Sequence, residues 1–147
     1  MKADTRRYTD SLEGAKHYID FENYPFTKLN FPLTYSEAIN IYGIHYLDKN
    51  GSLPWQIQQS YKSLVNAFER KDINRILKLS ADLGHYISDA HVPLHTTSNY
   101  NGQLTDQKGI HGFWESRIPE LFAKTYNLFT GPARYYPDIP KQTWTFI

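Results

Sequence analysis

A chain of 147 residues with 16 basic and 15 acidic side chains has a formal net charge of +1, so no global field is available to draw in a polyanion or an anionic membrane surface, and any phosphate binding must be local. Its 40% hydrophobic content, with 12 Tyr and 8 Phe, lies in the globular range and suits a single domain spanning 1–147. Cysteine is absent, which excludes disulfides and thiolate metal sites and leaves His, Asp and Glu as the strong metal ligands; no segment offers the roughly 20 apolar residues of a membrane span.

Residues 1–23 are polar, with the clusters Arg6-Arg7-Tyr8 and His17-Tyr18-Ile19-Asp20, and open on no helix cap or obvious first element. Residues 23–32 hold two prolines and several aromatics and read as an irregular loop. Thr34, with Glu37 three residues on, is a capping box that starts a helix over 35–48. Asn50-Gly51 stops it, and Pro54 sits in the first turn of the next helix, which carries Ile57, Tyr61, Leu64, Val65 and Phe68 at helical spacing to about Arg70. Asp72 caps a third helix with Ile73, Ile76, Leu77, Leu83 and Ile87 on its apolar stripe, until Pro93 interrupts it. A polar loop over 99–109 leads to a fourth helix from His111 that turns Trp114, Ile118, Leu121 and Phe122 inward, and the proline-containing tail from Gly131 is expected to be mostly irregular. With no strand pattern and no repeat, the expectation is an all-α domain of four to five helices.

Two pairs of side chains stand out. His85 and Asp89, and His111 and Glu115, are each separated by four residues, so each pair projects from one helix face and can hold one ion or two adjacent ions. A single such pair is most often a solvated contact worth a few tenths of a kcal/mol. The stronger signal is the continuous stretch from Gly84 to His95, where a helix presents a His and an Asp and a proline then redirects the chain so that His95 arrives six residues after the Asp. Neutral imidazole and carboxylate are the ordinary ligands of zinc when thiolates are absent.

This pattern of His85, Asp89, His95 with Pro93 two positions before it, then a loop, His111 and Glu115 resembles the zinc-dependent phospholipase C and single-strand nuclease family of helical three-zinc phosphoesterases. Asp4, the basic Arg6 and Arg7, and His17 in His-Tyr-Ile-Asp are similar to a further segment of that family. The resemblance covers most of the chain, and it implies an all-α fold around a zinc cluster. It implies a first Zn2+ held by His17, His85 and Asp89, with Asp4 as a further ligand or general base, and a second held by His95, His111 and Glu115. Asp89 would bridge to a third ion, so that Asp4 and Asp89 are the catalytic carboxylates. In the family the third ion is completed by a mature N-terminal Trp and a nearby His, neither of which precedes Asp4. The expectation is therefore two Zn2+ in this chain and three in a longer protein that has the family's N-terminal segment and is secreted or periplasmic.

The implied activity is hydrolysis of a phosphodiester, either a phospholipid headgroup or a single-stranded nucleic acid; Glu115 as the last acid is similar to the phospholipase C branch. The alternatives are a non-catalytic zinc-binding helical module and a plain helical domain. His91 reads as a packing or supporting residue rather than a ligand, and His45 as an ordinary surface or core histidine. Trp55, Trp114 and the tyrosines could line a substrate cleft, but aromatics at helical spacing usually build core.

Overall fold

A computed structural model of the chain describes residues 3–26 and 32–147, with Asp4 described by its backbone alone; part of the loop expected over 23–32 lies outside the described residues. Among the described residues the regular structure is helical throughout, with no strand, as the sequence pattern requires. The helices are α1 (Ala3–Arg6), α2 (Tyr35–Tyr42), α3 (Ile44–Asn50), α4 (Leu53–Glu69), α5 (Ile73–Ala90), α6 (Ile110–Gly112), a π-helical turn (Phe113–Arg117), α7 (Ile118–Phe122) and α8 (Ile139–Thr143). None is long and apolar enough to cross a membrane.

The caps behave as their chemistry predicts. Thr34 accepts from the Glu37 amide while the Glu37 carboxylate accepts from the Thr34 amide, and Asp72 accepts from the Arg75 amide at 3.0 Å, satisfying amides that a helix start leaves unpaired. The helix expected over 35–48 is two helices. Gly43 takes φ +79° and ψ 156°, an extended conformation on the positive-φ side that ends α2 and restarts the chain as α3. At the start of the chain the expectation is corrected: the polar segment forms the short α1 and a 3₁₀ turn over Gly14–Lys16. The tail from Gly131 is mostly irregular, as expected, apart from the short α8, whose cap Asp138 accepts from the Lys141 amide.

The chain divides into two compact units, Met1–Ser98 with Asp138–Ile147, and Asn99–Pro137. In the first, α4 and α5 form a hairpin across residues 70–72, where Lys71 takes φ +55°. One buried cluster joins Ala3, Leu53, Ile57, Tyr86 and Ala90; another joins Ile19, Tyr24, Ala38, Leu47 and Trp55. Trp55 is fully buried, donates from its indole nitrogen to the Pro32 carbonyl at 3.0 Å, and meets the ring of Trp144 edge-on at 5.4 Å. Such pairs add about 0.5–1.5 kcal/mol to simple area burial.

The apolar stripe expected on α5 holds in its C-terminal half, where Leu83 and Ile87 are partly buried against the core, and fails at its start. Ile73 and Leu77 are 66% exposed, and the side chains buried from this helix are those of Asp82, Tyr86, Asp89 and Ala90. A helix that buries the carboxylates of Asp82 and Asp89 must supply them with partners, because an unpaired buried charge is costly. On α4, Val65 and Phe68 are likewise exposed while Ile57 is buried. In the second unit Trp114, Leu121 and Phe122, expected to face inward, are about half exposed.

Candidate metal centre

His17 owes its position to backbone bonds on both sides of the segment that carries it. The Ile19 and Phe21 amides donate to the carbonyls of His95 and Thr96 at 2.8 and 3.2 Å. On the other side, the Asp20 amide donates to the Asn50 carbonyl, the Ser52 amide to Ala15 and the Leu53 amide to Tyr18, at 2.8, 2.7 and 3.1 Å. The turn that makes this approach possible needs glycine: Gly51 has φ +86°, and a β-carbon there would lie 2.2 Å from the Tyr18 carbonyl oxygen. Side-chain placement at residue 17 is thus set by packing against α3, α4 and the 93–96 turn.

Held in this way, His17 meets α5. Its Nδ1 lies 2.8 Å from Oδ2 of Asp89, and Nε2 of His85 lies 3.5 Å from the same oxygen. One ligand atom from each of the three residues falls within 4.8 Å of the others. His17 and Asp89 are buried and His85 is half-buried. The imidazoles of His17 and His85 meet edge-on, with centroids 5.0 Å apart.

The donor set can be tested against zinc by geometry alone. Ligand atoms at about 2.0–2.1 Å from a tetrahedral ion stand about 3.3 Å apart, and the two contacts to Asp89 bracket that spacing. Two imidazoles and one carboxylate are also a donor set zinc accepts, leaving a further position open. The residues fit the ion.

The other expected ligands are placed as follows. Of Asp4 only the backbone, within α1, belongs to the described residues, so its expected roles as ligand or base lie outside them. His95 closes the 3₁₀ turn Pro93–His95 of the first unit, and its Nδ1 donates to the His17 carbonyl oxygen, since a carbonyl can only accept. That bond fixes the tautomer and leaves Nε2 with a lone pair, as an outer partner does for a ligating histidine.

In the second unit, His111 Nδ1 contacts the Tyr100 carbonyl at 3.3 Å and its Nε2 lies 3.0 Å from Oε2 of Glu115. A neutral imidazole oriented in this way presents a lone pair to a carboxylate, an arrangement that needs a proton or a cation between them. The π-helical turn Phe113–Arg117 begins two residues after His111 and includes Glu115; such turns recur at functional sites. The expected second set, His95 with His111 and Glu115, draws on both units. His91 is exposed, stays outside the cluster, contacts the Ile87 carbonyl and lies against the Phe146 ring. His45 is an exposed surface residue of α3.

Sequence reasoning missed the groups that hold His17 against α5. Glu13 is 1% exposed. Its carboxylate accepts from Arg6 at 2.8 Å, Lys16 at 2.8 Å and the Tyr86 hydroxyl at 2.6 Å, and its Oε1 lies 3.6 Å from His17 Nε2. Arg6 spends its other nitrogen on both oxygens of Asp82, at 2.8 and 3.0 Å. Burial alone would raise the Glu13 carboxyl, but the hydrogen bonds from Arg6, Lys16 and Tyr86 outweigh it and hold the group down at about 2. The Tyr86 hydroxyl is pushed up, by burial first and by Glu13 second. The missed signals were spacings: Glu13 precedes His17 by four residues, and Asp82, Tyr86 and Asp89 form one helical stripe.

Comparison with models of protein families, with curated proteins and with solved structures finds no match to this chain.

Proposed function

We propose that the chain is a zinc-dependent phosphodiester hydrolase, of phospholipase C-like or nuclease-like character. The observation that carries this reading is the convergence of His17, His85 and Asp89 from segments about 70 residues apart onto one largely buried point. A solvated surface pair on an amphipathic helix has no need of a third ligand brought from so far along the chain, nor of Asp89 on its buried side.

In this reading His17, His85 and Asp89 hold the first ion. His95, His111 and Glu115 are the proposed second set; Nδ1 of His95 donates to the His17 carbonyl and Nδ1 of His111 contacts the Tyr100 carbonyl. When bound, zinc would lower the pKa of coordinated water toward neutrality and offset negative charge on the phosphate oxygens. The protein's own contribution is to hold the ligands rigidly. Asp89 serves two imidazoles through one oxygen, and Asp4 is the proposed base or additional ligand. The substrate is a phosphodiester, either a phospholipid headgroup or an exposed strand of nucleic acid.

Zinc content after dialysis, read together with hydrolysis of a bis-nitrophenyl phosphodiester, tests the proposal. About two ions per chain and slow turnover are expected, with both reduced in His85→Ala. Near-zero zinc in a protein with a full helical spectrum would refute the metal centre. Two ions without cleavage of the model diester, single-stranded nucleic acid or phosphatidylcholine would replace the enzyme with a non-catalytic zinc-binding module.

A further inference from the structure

We propose that Glu13 is the positioning carboxylate of His17: buried behind the imidazole and locked by Arg6, Lys16 and Tyr86, it sets the ring's orientation and strengthens it as a ligand. The inference rests on the zinc reading of the His17, His85 and Asp89 cluster.

Its geometry has two parts. The Nδ1 of His17 is the nitrogen turned to Asp89, at 2.8 Å, whereas Nε2 is turned to Glu13, whose Oε1 lies 3.6 Å away. A carboxylate on the far nitrogen of a ligating imidazole polarises the ring and raises its basicity, an arrangement that recurs behind zinc-bound histidines. At 3.6 Å the contact is Coulombic rather than a formed hydrogen bond, so a small approach of the ring on metal binding would complete it.

The second part is rigidity. A buried carboxylate can orient another group only if it is itself held, and Glu13 accepts bonds from three side chains. Two of these partners reach α5: Tyr86 belongs to that helix, one residue from His85, and Arg6 clamps Asp82 on the same stripe. The network therefore joins the segment that presents His17 to the helix that presents the other two ligands. Arg6, Glu13 and Tyr86 are positioning residues that act through His17.

Cobalt(II) titration of the full chain, followed by its visible absorption, tests this. The site is defined as the binding lost in His85→Ala. Glu13→Gln keeps the size but removes the charge and turns one acceptor oxygen into a donor, and is expected to weaken cobalt binding at that site about 10- to 100-fold and to shift the absorption band. Asp82→Asn loosens the other arm of the Arg6 clamp without altering the group that faces His17. It should lower the melting temperature of the metal-free protein and weaken cobalt binding by a much smaller factor than Glu13→Gln, with the absorption band unshifted. If Glu13→Gln binds as tightly as wild type with the same spectrum, or if both variants weaken binding equally, the positioning role is overturned. Should Glu13→Gln not fold, Tyr86→Phe, which removes one bond to Glu13 and keeps the buried ring, is expected to weaken binding by a smaller factor, and unchanged binding overturns the role. If instead His85→Ala binds cobalt as wild type does, the metal reading of the cluster fails and this inference falls with it.

Discussion

Trp55 and Trp114 are the same side chain in two settings, and the contrast between them describes the two units. Trp55 is fully buried among Tyr24, Trp144 and Ile19 and has a carbonyl for its indole nitrogen, whereas Trp114 is 49% exposed, as are its neighbours Phe113, Leu121 and Phe122 to a similar degree. The first unit orders His17, His85 and Asp89 with a packed core, paired carboxylates and backbone bonds on both sides of the His17 segment. In the second, His111 and Glu115 are oriented by local turns, a carbonyl contact and the π-helical turn that includes Glu115. A ligand set supported by a core should survive loss of the metal, while one supported by local turns should depend on it.

The largest expected effect is on the core that carries the first set. Trp55→Ala should destabilise the protein by about 3–5 kcal/mol, the range for deleting a buried aromatic, as measured by chemical denaturation in chelator. Gly51→Ala comes next. Its β-carbon would meet the Tyr18 carbonyl oxygen at 2.2 Å and φ +86° is strained for alanine, so a loss on the order of 2–5 kcal/mol is expected, combining overpacking with backbone strain. The variant should also lose affinity for zinc, since Tyr18 adjoins His17; full affinity would show that the turn does not set the ligand.

A gentler probe of the same region is pH. The Asp20 carboxyl is pushed up to about 6 from its ordinary 3.8, by burial first and by the charge of Glu22 second. The folded state therefore holds this proton more tightly than the unfolded chain does, and the penalty of the ionised form is relieved as pH falls through about 6 toward 4. In metal-free protein, Asp20→Asn should flatten that part of the stability profile relative to wild type; parallel profiles would show that Asp20 does not titrate there. The smallest effect belongs to the second unit. Trp114→Ala should change stability by no more than about 0.5–1 kcal/mol, and a cost near that of Trp55→Ala would break the contrast between the units.

The features legible in the sequence were those governed by neighbours along the chain. The Thr34 and Asp72 caps, the Asn50-Gly51 stop and the His85–Asp89 and His111–Glu115 spacings all follow from local geometry, and the structure has them in place. Features decided by distant partners were read poorly. Periodicity assigned Ile73 and Leu77 to the core, yet the hairpin with α4 buries the opposite side, where Asp82, Tyr86 and Asp89 find Arg6, Glu13 and His17. The helix expected over 35–48 ran through Gly43, whose positive φ divides it. For the candidate centre, the ligand types and the α5 spacing could be read directly. His17 was reached only through a resemblance, and Glu13 not at all: its four-residue spacing to His17 was the one local signal, while its partner Tyr86 lies 73 positions away.

The central claim is that His17, His85 and Asp89 bind a metal ion, and anomalous diffraction at the zinc edge from crystals grown with stoichiometric zinc tests it most directly. The account predicts a peak at about 2.0–2.1 Å from a nitrogen of each imidazole and an oxygen of Asp89. A zinc-loaded crystal with no anomalous density among these three side chains would contradict it.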